Sequence, residues 1–148
     1  RTVFAGVTRQ HDGSLMQRNE LQIAVREGRG YLNSDVEGTW HRFRFGDRAS
    51  PNPDGSFWKR SRLAIDATGT ITDGIAFSHE TPQISTTFDG NVSLGFSGEI
   101  SRSGAWARDD SHYVAFMDAG KSVIAGVASI VDGDDATTRN SLEVWLRQ

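Results

Sequence analysis

Apolar and polar side chains alternate with a period of two along most of this chain, and no stretch sustains the three-to-four spacing of an amphipathic helix. In Thr39 to Asp47 (TWHRFRFGD) the alternation sets His41, Phe43 and Phe45 on one face of a predicted strand and Trp40, Arg42 and Arg44 on the other. In KRSRLAID, Leu63 and Ile65 alternate with Arg62, Ala64 and Asp66, which predicts a strand with one buried face. Three segments then repeat the order strand, Asp- and Gly-bearing turn, strand: Ile65 to Ile75 (IDATGTITDGI), Phe88 to Phe96 (FDGNVSLGF) and Met117 to Val127 (MDAGKSVIAGV). Asp suits such turns because it bonds its own backbone, and Gly because it tolerates left-handed conformations. Three hairpins in succession predict a meander, and Ser50 to Gly55 (SPNPDG) reads as the clearest loop. Roughly eight to ten strands of ordinary length fit after residue 30. A sheet of that width leaves awkward edges unless it closes. The predicted fold class is therefore all-β, an antiparallel meander closing into a barrel of about eight to ten strands.

The two ends of the chain carry the same phrase. Val3 to Gly13 (VFAGVTRQHDG) and Val123 to Gly133 (VIAGVASIVDG) share six of eleven residues at an offset of 120. After a one-residue slip, Arg18 to Arg26 (RNELQIAVR) aligns with Arg139 to Arg147 (RNSLEVWLR), which keeps Arg, Asn, Leu and Arg and the apolar alternation. Gln148 then corresponds to Glu27. This phase predicts that residues 28–148 form one complete β-barrel-like repeat unit and residues 1–27 the closing hairpin of a preceding unit, an extra N-terminal β-hairpin in a tandem array. A hairpin alone is marginal in water, so it is expected to lie against the barrel, its own equivalent or another molecule. An opening on Arg1, not Met, fits an excised or processed piece.

Composition narrows the function classes. Sixteen Lys and Arg are scattered among nineteen acids for a net charge of −3, which leaves no electrostatic footprint for nucleic acid. The tightest basic cluster, Lys59, Arg60 and Arg62, reads as a solvated strand face. No apolar run is long enough for a helical membrane span. Cysteine is absent, so disulfides and thiolate metal sites are excluded.

Gly38-Thr39-Trp40, a G-x-W opening a strand, and Arg147 at the end of the final strand resemble the calycin barrels, the lipocalin-like and avidin-like proteins. In those a Trp near the start of the first strand is covered by an Arg from a late strand. The Asp- and Gly-bearing hairpins look like those of barrel modules strung along bacterial secreted or surface proteins. The resemblance would cover about residues 30–148. It implies that Trp40 and Arg147 are structural, with the cation over the indole closing one end of the barrel, and that Arg26 plays the same part for the preceding unit. Trp145, where the first copy has Ala24, departs from the repeat.

Candidate chemistry is sparse. His11, His41, His79 and His112 are too far apart in sequence to suggest a metal site. Asp132, Asp134 and Asp135 resemble a calcium loop, but without the later Glu of an EF-hand; a solvated acidic turn is the competing reading. Gly95 to Glu99 (GFSGE) nearly spells a nucleophile elbow, yet Glu99 takes the last glycine's place and the context is a meander. No catalytic residue set and no cofactor motif are identified. Phe57, Trp58, Trp106 and Tyr113 stand in polar neighbourhoods and are candidates for a binding surface.

The expected function is a non-catalytic structural or assembly module outside the cytoplasm: extracellular, at the cell surface or periplasmic. It would contact other protein subunits or neighbouring repeat units. Two further readings stay open: a barrel binding a small apolar ligand, as the calycin resemblance permits, and a carbohydrate-binding or viral fibre domain with a glycan stacked on Trp58 or Trp106.

Overall fold

The structure, a computed structural model, describes the backbone of residues 3–11, 17–48, 56–78, 81–87, 89–104, 112–131 and 138–148, and side chains within 23–46, 58–77, 89–104, 112–129 and 140–148. It is all-β. A hairpin of β1 (Val3–His11) and β2 (Gln17–Val25) precedes a 3₁₀ turn (Asn33–Val36). Among the described residues nine strands follow: β3 (Gly38–Arg48), β4 (Ser56–Ile65), β5 (Ile71–Ser78), β6 (Thr81–Thr87), β7 (Asn91–Leu94), β8 (Glu99–Ser103), β9 (His112–Met117), β10 (Val123–Val131) and β11 (Thr138–Arg147).

These nine form one antiparallel sheet in the order β6-β5-β4-β3-β11-β10-β9-β8-β7. Eight of them, from β5 round to β7, curl into a nearly closed barrel, with β6 attached to the outer edge of β5. The first and last strands, β3 and β11, pair continuously from Arg139–Arg48 to Arg147–Trp40. The seam lies elsewhere, between the entry to β5 and β7. There Thr70 bridges Asn91, the Ile71 N–H donates to Gly90 O at 2.9 Å, and the Val92 N–H donates to Gly69 O at 2.8 Å.

One expected hairpin is corrected by this seam. Ile65 to Ile75 does turn β4 into β5, and Met117 to Val127 turns β9 into β10. Phe88 to Phe96 does not form a hairpin, because the Asp89-Gly90 turn connects β6 to β7, which lie at opposite ends of the sheet order. The true hairpin is one turn later. Gly95 and Gly98 close it, with Gly98 N–H donating to Gly95 O and Gly95 N–H to Glu99 O, so the near-elbow GFSGE is the β7–β8 turn.

The two similar ends share their pairing as well as their wording. Val3 opposes Val25 and His11 opposes Gln17 in the first hairpin; Val123 opposes Leu146 and Val131 opposes Thr138 in the second. The one-residue slip of the sequence match falls between the strands. The first hairpin is its own two-stranded sheet, and β2 lies against β10.

The inner residues of the barrel sort into two layers. At the end covered by the 3₁₀ turn, Trp40, Leu63, Ile65, Ile71, Val92, Leu94, Ile100, Met117, Ile124 and Trp145 pack with Val36 and Tyr31. The Tyr31 hydroxyl donates to Met117 O, and Asn33 ties this plug to the β4–β5 turn through Thr68 O and to β7 through the Leu94 N–H. Further along the same inner faces the lining turns polar: Arg42, Arg44, Ser61, Ser141 and Glu143 are all buried.

Candidate functional site

Alternation on β3 forces Arg42 and Arg44 to the same side as Trp40. Since Trp40 is fully buried in the barrel, both guanidiniums enter it too. A carboxylate meets them there. Glu143 on β11 is fully buried and accepts a bidentate pair from Arg42, through Nε at 3.0 Å and a short bond from Nη2. Arg44 Nε lies 3.4 Å from it, and Arg102 Nη1 reaches it from β8 at 3.2 Å. Trp145 Nε1 donates to the same carboxylate at 3.3 Å. Burial by itself would raise the Glu143 carboxyl, but Arg42, Arg102 and Arg44 outweigh it and hold the group down at about 2. Arg44 also donates to Ser141 Oγ at 2.8 Å. The cluster binds β3, β8 and β11 together across the lumen.

The other end of the lumen is shut by Arg147. Its guanidinium carbon lies 5.2 Å from the Trp40 ring centroid. Nη1 donates to Lys121 O at 3.1 Å, and Nη2 donates to Asp35 O at 2.8 Å and to Glu37 O. Trp40 Nε1 donates to Val36 O at 2.7 Å, and the Trp40 and Trp145 rings meet edge to face at 6.5 Å. Nearby, the Asp35 carboxyl is held below its ordinary value by the Leu32 N–H first and by Lys121, whose Nζ is 2.7 Å away. These bonds tie the plug to β3, to the end of β11 and to the β9–β10 turn.

The outer face is different. Direct cross-strand pairing aligns Val114 on β9, Val127 on β10, Leu142 on β11, Phe45 on β3 and Trp58 on β4 in one row. Four of the five are strongly exposed, at 54%, 55%, 47% and 48% for Val114, Val127, Phe45 and Trp58. Beside it runs a second uncharged row, Phe116, Ala125, Val144 and Phe43. A cleft of about 440 Å³ opens at the β9–β11 side, lined among others by Val114, Val127, Leu142, His112 and Asn140. Contiguous apolar exposure of this kind is uncommon on a monomer and marks contact sites.

Of the residues singled out from sequence, Trp40 and Arg147 are brought together and Trp58 lies on the outer face next to Phe45. Phe57 is a β4 residue opposite Gly46, with its side chain outside the described residues. Trp106, Asp132, Asp134 and Asp135 fall outside the described residues. Tyr113 does not belong to a surface: it points into the barrel, where the Arg102 guanidinium lies 3.4 Å from its ring centroid, because it shares a β9 face with buried Ala115 and Met117. Sequence reasoning passed over the Glu143 cluster. The available signal was the placement of Arg42 and Arg44 on the Trp40 side of an otherwise buried face.

Among the described residues, no group of three or more His, Asp or Glu side chains is arranged to hold a metal ion, and no helix is long and apolar enough to cross a membrane. No protein-family model matches the chain, and no curated protein matches it either.

Proposed function

We propose that this chain is a non-catalytic assembly module whose outer face, centred on β10, β11 and β3, makes protein–protein contacts. The observation that carries this reading is the contrast between the two faces of the same strands. The inner positions Trp40, Trp145, Arg42, Arg44 and Glu143 are buried and bond one another, whereas the outer positions Phe45, Val127 and Val114 leave apolar surface in water. Burying such surface is the main driving force of association. The calycin-like ancestry belongs to the same proposal and is supported by Arg147 over Trp40. So does the tandem arrangement, supported by two hairpins of matching sequence and register, and with it a setting outside the cytoplasm and partners that are other subunits or neighbouring units.

The competing ligand-barrel reading places an apolar molecule among Trp40 and Trp145. Titrating the chain with a fluorescent apolar probe separates the two. The assembly reading expects no saturable quenching of the buried tryptophans, and saturable one-to-one quenching would overturn it. A glycan titration of the Trp58→Ala variant against the parent chain checks the carbohydrate reading; binding lost with that ring would favour it.

A further inference from the structure

In the sheet order, β10 and β11 fill the gap between β9 and β3 as a hairpin, and the chain carries a second hairpin of matching sequence and register. We infer that the β9–β3 gap is a docking site for a closing hairpin of this repeat, and that β1–β2 competes with β10–β11 for it. The inference goes beyond the assembly reading and does not depend on it, because it starts from the match between the two hairpins.

Three positions of the inner parity are identical in them: Gly6 with Gly126, Arg18 with Arg139 and Arg26 with Arg147. Two of these are residues that the gap itself requires. A Cβ on Gly126 would run into Ala115 Cβ and sit 2.5 Å from Val114 O, so β10 closes on β9 only through a glycine. Arg147 lies over Trp40 and donates to Lys121 O, Asp35 O and Glu37 O, a fork that needs a guanidinium. β1–β2 carries both residues where neither is needed. Among the described residues it is a two-stranded sheet, so no third strand closes on Gly6, and Arg26 and Ala24 are exposed.

This hairpin also stands beside the gap. The Arg26 carbonyl accepts from the Ala119 N–H at 3.0 Å, and the Arg147 N–H donates to Ser122 O at 2.9 Å, so both hairpins end against the turn between β9 and β10. β2 is followed in the chain by β3, and residues 26–37 are long enough to turn it back in the antiparallel sense that β11 uses.

The rest of the inner face decides which hairpin holds the place. Trp145, Glu143 and Ser141 correspond to Ala24, Gln22 and Glu20. Trp145 is fully buried with its ring edge to face with Trp40, and Glu143 gathers Arg42, Arg44 and Arg102. β1–β2 lacks the ring, and its carboxylate stands one inward step away, at the position from which Ser141 accepts from Arg44. Residues 143 and 145 therefore select β10–β11, through a filled volume and a paired charge.

Moving those two residues within the full chain tests the inference. Glu143→Gln with Trp145→Ala is expected to lower the melting temperature, and adding Gln22→Glu with Ala24→Trp to recover it, with β1–β2 now in the gap. Hydrogen exchange of this fourfold variant should then show protection roughly tenfold or more above that of the parent over Val3–His11 and Gln17–Val25, a matching loss over Val123–Val131 and Thr138–Arg147, and retained protection in β3 and β9. Adding Gly6→Val is expected to abolish the transfer, because a side chain there meets β9, whereas in the parent chain Gly6→Val leaves the protection of the barrel as it was. Protection that stays on β10–β11, a melting temperature that Gln22→Glu with Ala24→Trp does not recover, or a transfer that Gly6→Val does not block overturns the inference.

Discussion

Glu143 stands directly across from Arg44 in the β11–β3 ladder, yet it gives its bidentate grip to Arg42, one step further along the same inner face. The diagonal choice frees Arg44 for Ser141 and leaves room for Arg102 to enter from β8. One carboxylate thus orients three guanidiniums inside the barrel. Removing it leaves them buried without their shared counter-charge. Glu143→Gln is expected to cost about 3–5 kcal/mol, the usual penalty for breaking a buried ion pair from one side. Urea denaturation of the two proteins measures it.

The same carboxylate predicts an acid limb. Its folded value, about 2, lies below its ordinary 4.5. The stabilisation is therefore fully present above about pH 4.5 and is lost as the pH falls toward 2, since the unfolded chain takes up the proton first. The difference corresponds to roughly 3 kcal/mol. Asp35 and Asp66 are also held low, Asp35 by the Leu32 N–H and Asp66 by the Thr68 hydroxyl, and they titrate in the same direction. The Glu143→Gln variant separates them: its midpoint should fall less steeply over that window than that of the parent chain, and parallel curves would refute the assignment.

Arg147 reaches three carbonyls on two segments, the 3₁₀ turn with its cap and the β9–β10 turn, while lying over Trp40. A lysine cannot span that fork. Arg147→Lys is expected to lower stability by about 1–3 kcal/mol, counting the hydrogen bonds and the ring contact. Thermal melting followed by tryptophan fluorescence reads both the loss and the change around Trp40.

Gly69 closes the seam. Its φ is +88°, and a Cβ there would sit 2.0 Å from Val92 O. Gly69→Ala is expected to push β7 from the entry to β5 at a cost of roughly 2 kcal/mol or more. Hydrogen exchange should show the Val92 and Ile71 amides losing protection while the β3–β11 ladder keeps it; uniform loss would mean that the seam is not a separate weak point.

Deleting residues 1–27 uncovers the surface near Ala125 and Phe116 and should lower the melting temperature by roughly 2–8 °C, for a loss of about 1–2 kcal/mol in a domain of this size. No change would show that the hairpin does not stabilise the barrel.

Much of this architecture could be read in one dimension. Two-residue alternation put Trp40, Arg42 and Arg44 on one side and Phe43 and Phe45 on the other, which is the division between lumen and outer face that the structure shows. The turns at Asp66 and Asp118 were legible because each Asp accepts from backbone N–H groups a few residues on, Thr68 and Thr70 in one case and Gly120, Ser122 and Val123 in the other. Asp89-Gly90 carries similar wording without making a hairpin. The pattern marks a bend and does not say whether the strands on either side pair.

Local alternation and turn chemistry determined that this chain is a sheet, where most of its strands begin, and that its two ends share a hairpin. Only the tertiary structure decided which side of the sheet became the inside, where the seam fell, and that Glu143 would gather Arg42, Arg44 and Arg102. Those outcomes depend on closure, which brings residues a hundred positions apart in the chain to within hydrogen-bonding distance and makes a buried charge tolerable only where its partners arrive with it.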